Sequence, residues 1–189
     1  LYTVYNPDGT VDPFLSCRGI LMTKESAGNT EILFANPNPG DYGAIDRWSI
    51  PRSVPGAGSY GVTQSLVDAF FMENGLSPIL GYENNDYSKP IINPASGYTE
   101  TGFSTEPEVR NTGWQECQGN VNPGQVTMAG AYNMYCHREA RFYIAVLYNR
   151  AWFSKTAEGG RQTMFLKGEQ DGGISVSYTH LRAHETKAN

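Results

Sequence analysis

The strongest constraint on the fold is an unbroken apolar run late in the chain, from Phe142 to Tyr148. Every residue in it is apolar or aromatic, and polar residues flank it on both sides. A helix at the surface of a protein needs one polar face, and this run offers none. The run therefore predicts a strand over residues 142–148 that is buried on both faces. Asn149-Arg150 predicts a turn directly after it.

Capping residues and helical spacing predict two helices in the first half of the chain. Asp12-Pro13 is suited to the start of a helix, since Asp caps the backbone N–H groups and Pro is favoured at the first helical position. We expect this helix over about residues 12–25. Thr63 predicts the cap of a second helix, over residues 64–74, which ends where Gly75 stops it.

The rest of the pattern predicts short strands and long loops. Strands are expected at residues 31–35 and 163–166. Proline and glycine predict a loop over residues 36–59, and residues 76–130 have almost no periodic pattern. A stretch that long without periodicity is typical of functional loops or disorder, and its many aromatic residues disfavour disorder. The predicted fold class is therefore α+β and loop-rich.

Composition narrows the class of function. The formal net charge of the 189 residues is −5, which argues against nucleic-acid binding because that requires clustered Lys and Arg. No apolar run approaches the roughly 20 residues that a membrane-spanning helix needs. The sequence shows no phosphate-binding, dinucleotide-binding or metal-binding motif, so we predict no cofactor, no metal and no catalytic residue. A glycoside hydrolase needs only two facing carboxylates, and that alternative stays open.

The three cysteines, Cys17, Cys117 and Cys136, share no short metal-binding spacing. Two interpretations stay open: three unrelated thiols, or one Cys117–Cys136 disulfide.

The last fifteen residues, 175–189, differ in pattern from the rest. The segment from Val176 to Thr186 resembles one reading-frame translation of a sequencing adapter, so we treat residues 175–189 as a non-native tail and exclude them from fold reasoning. The exclusion leaves His137 as the one histidine, and we expect it to be partly exposed beside the apolar run.

Aromatic residues in the irregular stretches are the best candidates for ligand contacts. Tyr and Trp offer a flat apolar face with a polar edge, which suits stacking on sugar rings. The candidates are Tyr60, Tyr82, Tyr87 and Trp114, and Asn84, Asn85 and Asp86 lie between two of them as possible partners for sugar hydroxyl groups. The alternative is that these rings only fasten loops to the core.

Four stretches, in order, resemble the SusD/RagB family. They begin with Asn29-Thr-Glu-Ile-Leu-Phe-Ala35, and the others are Gly61-Val-Thr-Gln-Ser-Leu-Val-Asp-Ala-Phe70 with Glu73-Asn-Gly75, Gly97-Tyr-Thr-Glu-Thr-Gly-Phe103, and Arg138-Glu-Ala-Arg-Phe-Tyr143. Two positions depart from the family pattern: Glu139-Ala140 stands where Asp-Pro or Glu-Pro is common, and Asn149-Arg150 where Asn-Gly is common. These departures concern turn geometry rather than ligand contacts.

The resemblance implies a function and a setting. Proteins of the SusD/RagB family are lipid-anchored at the cell surface of the outer membrane, where they bind glycans for a TonB-dependent, SusC-like transporter. The resemblance implies the same setting for this chain. It also implies that residues 1–174 are part of a longer, mainly helical protein with a tetratricopeptide-like scaffold, and that this part exposes apolar surface. The expected function is non-catalytic glycan binding. There are two alternatives: a glycoside hydrolase, and a structural lid of the transporter that does not contact the ligand.

Overall fold

A computed structural model describes residues 2–33, 42–49, 56–57, 60–114, 124–155, 159–166 and 168–169. The helices within these residues are short: α1 (Pro13–Met22), α2 (Tyr42–Ser49), α3 (Gln64–Ala69) and α4 (Ala140–Ala145). The strands form three antiparallel pairs, in which β1 (Ile79–Tyr82) lies beside β2 (Pro90–Ile92), β3 (Glu108–Val109) beside β4 (Gln125–Thr127) and β5 (Trp152–Lys155) beside β6 (Gly159–Gln162). None of the helices in this described part is long and apolar enough to cross a bilayer.

The expected tetratricopeptide-like scaffold is wrong for this chain. The described residues form a mixed α/β structure, in which the longest helix, α1, has 10 residues and the main packing of one helix on another joins α1 to α4. Glycine and proline interrupt the sequence too often for the long paired helices that such a scaffold requires. The α+β, loop-rich character is retained, and the helical architecture is not.

Both predicted helices begin where their caps predicted, but both end early. The Asp12 carboxylate accepts hydrogen bonds from the N–H groups of Phe14 and Leu15 at the start of α1, and the helix ends at Met22 rather than near residue 25. The Thr63 side chain caps α3, which ends at Ala69. After that point the chain turns extended because Met72 pairs with Arg138 in an isolated β-bridge.

The predicted strand over residues 142–148 is wrong. The chain forms helix α4 through Ala145, and residues 146–148 belong to no strand, although Val146 is extended and is buried together with Tyr148 while Leu147 is exposed. The helix does have a solvent-exposed side, because Arg141, just before the apolar run, is exposed together with Ala145 four residues later. The predicted turn at Asn149-Arg150 is confirmed, with Arg150 at a φ of 70°.

The other two predicted strands are also wrong. Residues 31–33 form no strand, and the rest of the 31–35 prediction lies outside the described residues. Residues 163–166 form no strand either, because the strand of that hairpin is β6, which ends at Gln162. Helix α2 lies inside the predicted loop 36–59, and strands β1 to β4 lie inside the stretch 76–130. The predicted tail lies outside the described residues.

Aromatic side chains fill the core where α1, α3 and α4 meet. Phe142 is fully buried and contacts the rings of Tyr135, Tyr148 and Phe70 at centroid distances of 6.2, 5.6 and 5.6 Å. Phe14 of α1 stacks on Tyr143 at 6.0 Å, which joins the first helix to the last. Rings with such geometry contribute beyond their buried area, so this stack fixes how the short elements pack.

A buried arginine anchors the chain just before α4. The guanidinium of Arg138 donates to the backbone carbonyls of Met134 and Phe70, each at 2.8 Å, and lies 4.9 Å from the ring centroid of Tyr98. Burial lowers the pKa of this fully buried side chain. It is a structural cation that ties the end of α3 to the start of α4.

Two of the three cysteines lie in the described part of the chain, and both are free thiols. Cys136 is buried, and its burial raises its pKa to about 11. Cys117 lies outside the described residues.

Candidate aromatic binding site

The β1–β2 hairpin presents two of the predicted aromatic residues together. Tyr82 is the last residue of β1 and pairs with Pro90 of β2, and Tyr87 lies in the connecting loop. We call residues 82–89 the aromatic loop. The ring centroids of Tyr82 and Tyr87 lie 4.7 Å apart, with an interplanar angle of 47°. The pair is an open aromatic wedge rather than a flat stack.

Hydrogen bonds hold the aromatic loop in one shape. The N–H of Glu83 donates to the Lys89 carbonyl at 2.9 Å, and the N–H of Lys89 donates to the Asp86 carbonyl at 2.9 Å. The Asp86 carboxylate accepts from the Ser88 hydroxyl at 2.7 Å and from the Ser88 N–H at 3.0 Å. These bonds lower the pKa of Asp86. The loop is therefore closed by its own side chains before any ligand arrives.

Two asparagines at the tip have unusual backbone geometry. Asn84 and Asn85 have φ angles of 50° and 58°, in the left-handed region that asparagine tolerates better than most residues. Both side chains are exposed, and neither amide has a hydrogen-bond partner among the described residues. Each carboxamide offers a donor and an acceptor, as a sugar hydroxyl group does. The loop that carries the aromatic wedge thus also exposes two free amides.

Tyr82 is anchored from behind, whereas Tyr87 is not. The Tyr82 hydroxyl donates to Asp68 Oδ2 at 2.7 Å, and Asp68 also accepts from Gln64 Nε2 at 2.9 Å. Asp68 lies on α3 and is only 2% exposed. Tyr87 is 67% exposed, so its ring offers a face to solvent. The role of Asp68 is not evident from the sequence, since one acidic residue within an amphipathic helix carries no signal of its own.

The other two candidates lie elsewhere. Trp114 is half-buried and stacks on Phe14 at 5.6 Å with an interplanar angle of 17°, so it contacts the core ring stack. It also borders a groove of about 220 Å³ lined by Arg18, Leu21, Met22 and Ile144. Tyr60 is 62% exposed, and its N–H donates to the Trp48 carbonyl at 3.0 Å. Of the four candidate residues, Tyr82 and Tyr87 form a close ring pair in the described structure.

The structure also brings two glutamates together beside the histidine. Glu73, Glu108 and His137 have potential ligand atoms within 4.8 Å of one another. Arg110 forms ion pairs with both glutamates, and Glu108 also accepts from the Tyr143 hydroxyl at 2.8 Å and from the His137 N–H at 2.8 Å. Burial lowers the pKa of Arg110, but the ion pairs with Glu108 and Glu73 outweigh it and the net shift is upward. These contacts pair both carboxylates with Arg110, whereas a catalytic carboxylate pair needs room for substrate or water between its members.

Comparison of the chain with family models, with curated proteins and with solved structures finds no match.

Proposed function

We propose that the chain binds glycans without transforming them, and that Tyr82 and Tyr87 form the stacking surface. The observation that carries the proposal is the wedge of the half-buried Tyr82 and the exposed Tyr87, on a loop held in shape by its own hydrogen bonds. Stacking on an aromatic face removes the apolar face of a sugar ring from water, and nearby polar groups then select its hydroxyls. Asn84 and Asn85 supply such groups within the same loop.

The aromatic loop is already held in one conformation without ligand, which favours binding. A ligand loses less free energy on binding when the side chains that it contacts are already held in place. Tyr82 is held by Asp68, and the backbone of the loop is held by Asp86 and by the Glu83–Lys89 contact. The conformational entropy that is lost when a ligand binds therefore comes mainly from the side chains of Tyr87 and the two asparagines.

The resemblance to SusD/RagB proteins gives the proposal its setting. In that setting the bound glycan is passed to a SusC-like, TonB-dependent transporter at the outer membrane, and a lipid anchor holds the protein at the cell surface. The support for this setting is the sequence resemblance, in which Gly61–Phe70 includes the buried Asp68 and precedes the hairpin of the aromatic loop.

Affinity electrophoresis in gels that contain single polysaccharides tests the proposal. The chain should be retarded by at least one member of a panel of neutral and acidic polysaccharides. Tyr87→Ala should weaken that retardation roughly two- to tenfold, because one stacked ring contributes on the order of 0.5–1.5 kcal/mol. Tyr5→Ala is the matched control, since Tyr5 is equally exposed at 63% and lies in a different hairpin.

Three outcomes would contradict the proposal. Absence of retardation by every polysaccharide would overturn glycan binding. Equal loss in Tyr87→Ala and Tyr5→Ala would move the binding away from the aromatic loop. Release of reducing sugar by the chain, abolished by Glu108→Gln, would favour a glycoside hydrolase instead.

A further inference from the structure

We propose that the aromatic loop selects neutral saccharides and disfavours those with carboxylate or sulfate groups. This inference rests on the proposed glycan binding and adds the chemical class of the ligand. It follows from the charged groups of the described hairpin, residues 79–92, which include an unpaired negative charge at the surface and no unpaired positive charge.

Each cation that the described residues place on this hairpin or behind Tyr82 has an acidic partner. Lys89 is the one basic residue between residues 79 and 92, and its Nζ lies 3.7 Å from Asp86 Oδ2. On the inner side, the buried Arg138 interacts electrostatically with Asp68, the acceptor of the Tyr82 hydroxyl. Arg138 is 0% exposed, so it offers nothing to a ligand at the surface. An anionic sugar at the wedge would therefore find Lys89 as the one cation of the hairpin, with its charge already partly balanced by Asp86.

Glu83 supplies the unpaired negative charge of the hairpin. It follows Tyr82 directly, it is exposed, and it has no ion-pair partner among the described residues. Asp86 is also ionised near neutral pH, as an ordinary carboxyl group is, and its hydrogen bonds to Ser88 lower its pKa further. A uronate stacked on the wedge would thus meet Glu83 without a compensating guanidinium, which is the group that proteins favour for binding carboxylates.

The groups that are free at the wedge suit uncharged hydroxyls. The carboxamides of Asn84 and Asn85 each present a donor and an acceptor, so each can pair with a hydroxyl whichever way it is oriented. Repulsion between a sugar carboxylate and an exposed glutamate at several ångströms is modest because water screens it. We expect a discrimination of roughly three- to tenfold at low ionic strength, which narrows as salt is added.

Matched ligands that differ only in charge test the inference. Oligogalacturonate and its carboxyl-reduced product form one such pair, and oligoglucuronate and its carboxyl-reduced product form a second. Isothermal titration at low and at high NaCl concentration should give the lower Kd for the neutral member, with a ratio that shrinks at high salt. Glu83→Lys should remove the discrimination by tightening uronate binding, with little change for the neutral ligand.

Glu106→Lys is the matched control, since Glu106 is also exposed and the same change in net charge is made outside the aromatic loop. Equal or tighter binding of the uronate by the unmodified chain would overturn the inference and leave glycan binding intact. Discrimination that Glu83→Lys and Glu106→Lys reduce equally would also overturn it, because the effect would then come from the overall charge. Failure of the chain to bind any member of the polysaccharide panel would overturn the proposed function itself.

Discussion

At the scale of single residues, Tyr82 and Tyr87 have different tasks in spite of their contact. The Tyr82 hydroxyl reaches the buried Asp68, whereas the hydroxyl of the exposed Tyr87 has no hydrogen-bond partner among the described residues. Tyr82 is therefore the positioned ring of the wedge, and Tyr87 is the ring that a ligand meets in solvent.

This difference predicts that the change to Phe affects the free energy of unfolding at Tyr82 but not at Tyr87. Tyr82→Phe removes a donor from a buried carboxylate, so we expect the free energy of unfolding to fall by about 1–3 kcal/mol. The ring stays but loses its anchor, so glycan affinity should fall roughly threefold. Tyr87→Phe, the control, should leave unfolding unchanged, and urea titration with calorimetric binding checks both. Equal unfolding midpoints for the two variants would contradict the anchoring role of Asp68.

The sequence pointed to these tyrosines but could not sort the four aromatic candidates. Tyr82 and Tyr87 meet because they lie on either side of the Asn84-Asn85-Asp86 segment in one hairpin loop, which is a local feature. Trp114 meets Phe14 across 100 residues of chain, and no local pattern encodes that contact. The bond between Asp68 and Tyr82 is missed for the same reason.

At the scale of elements, the sequence predicted the starts of α1 and α3 better than their ends, and it did not predict α2 or α4. A cap is a local contact between a side chain and the next backbone N–H groups, and both Asp12 and Thr63 make it. The end of α3 depends instead on a β-bridge between Met72 and the distant Arg138. The apolar run at residues 142–148 predicts a strand because it contains no polar residue, whereas the exposed side of α4 includes Arg141, which precedes the run.

The two caps differ in burial, which predicts a difference in stability. Asp12 is fully buried, and besides capping α1 it accepts from the Thr112 hydroxyl at 2.7 Å and from the Gly113 N–H at 2.8 Å. Asp12→Ala should lower the free energy of unfolding by about 2–4 kcal/mol, since it removes a cap and leaves buried donors unpaired. Thr63→Ala, at an exposed cap, should cost about 0.5–1 kcal/mol. Urea denaturation followed by circular dichroism measures both, and equal losses would show that Asp12 acts only as a cap.

At the scale of the whole molecule, an aromatic core holds short elements together. Tyr143 and Tyr148 are central to it, with the Tyr143 hydroxyl bonded to Glu108 and that of Tyr148 to Thr127. Such a core is assembled from contacts between distant parts of the chain. The sequence therefore predicted its composition, rich in tyrosine and phenylalanine, but neither its geometry nor the absence of a helical scaffold in the described residues.

This core predicts loss of stability at alkaline pH. Burial raises the pKa of Tyr143 and Tyr148 well above the ordinary phenol value. Above about pH 10 the unfolded chain releases these protons and the folded chain keeps them, so stability falls by up to about 1.4 kcal/mol per pH unit for each group. Urea midpoints measured from pH 7 to pH 11 should drop steeply from about pH 9.5. Tyr148→Phe should be less stable at pH 7 but show a shallower alkaline decline, and parallel curves for the two proteins would contradict the assignment.

Helix α1 has an apolar face that the rest of the described structure leaves uncovered. Leu21 and Met22 are each 71% exposed, and with Trp114 and Ile144 they border the groove of about 220 Å³. A contiguous apolar groove binds hydrophobic dyes, whereas a single exposed leucine does not. We expect the double change Leu21→Gln and Met22→Gln to reduce the fluorescence of a bound naphthalene sulfonate dye several-fold. Leu33→Gln, at a leucine that is 98% exposed, is the control and should leave the fluorescence unchanged. Unaltered fluorescence in the double variant, with its circular dichroism spectrum intact, would place the dye-binding surface elsewhere on the molecule.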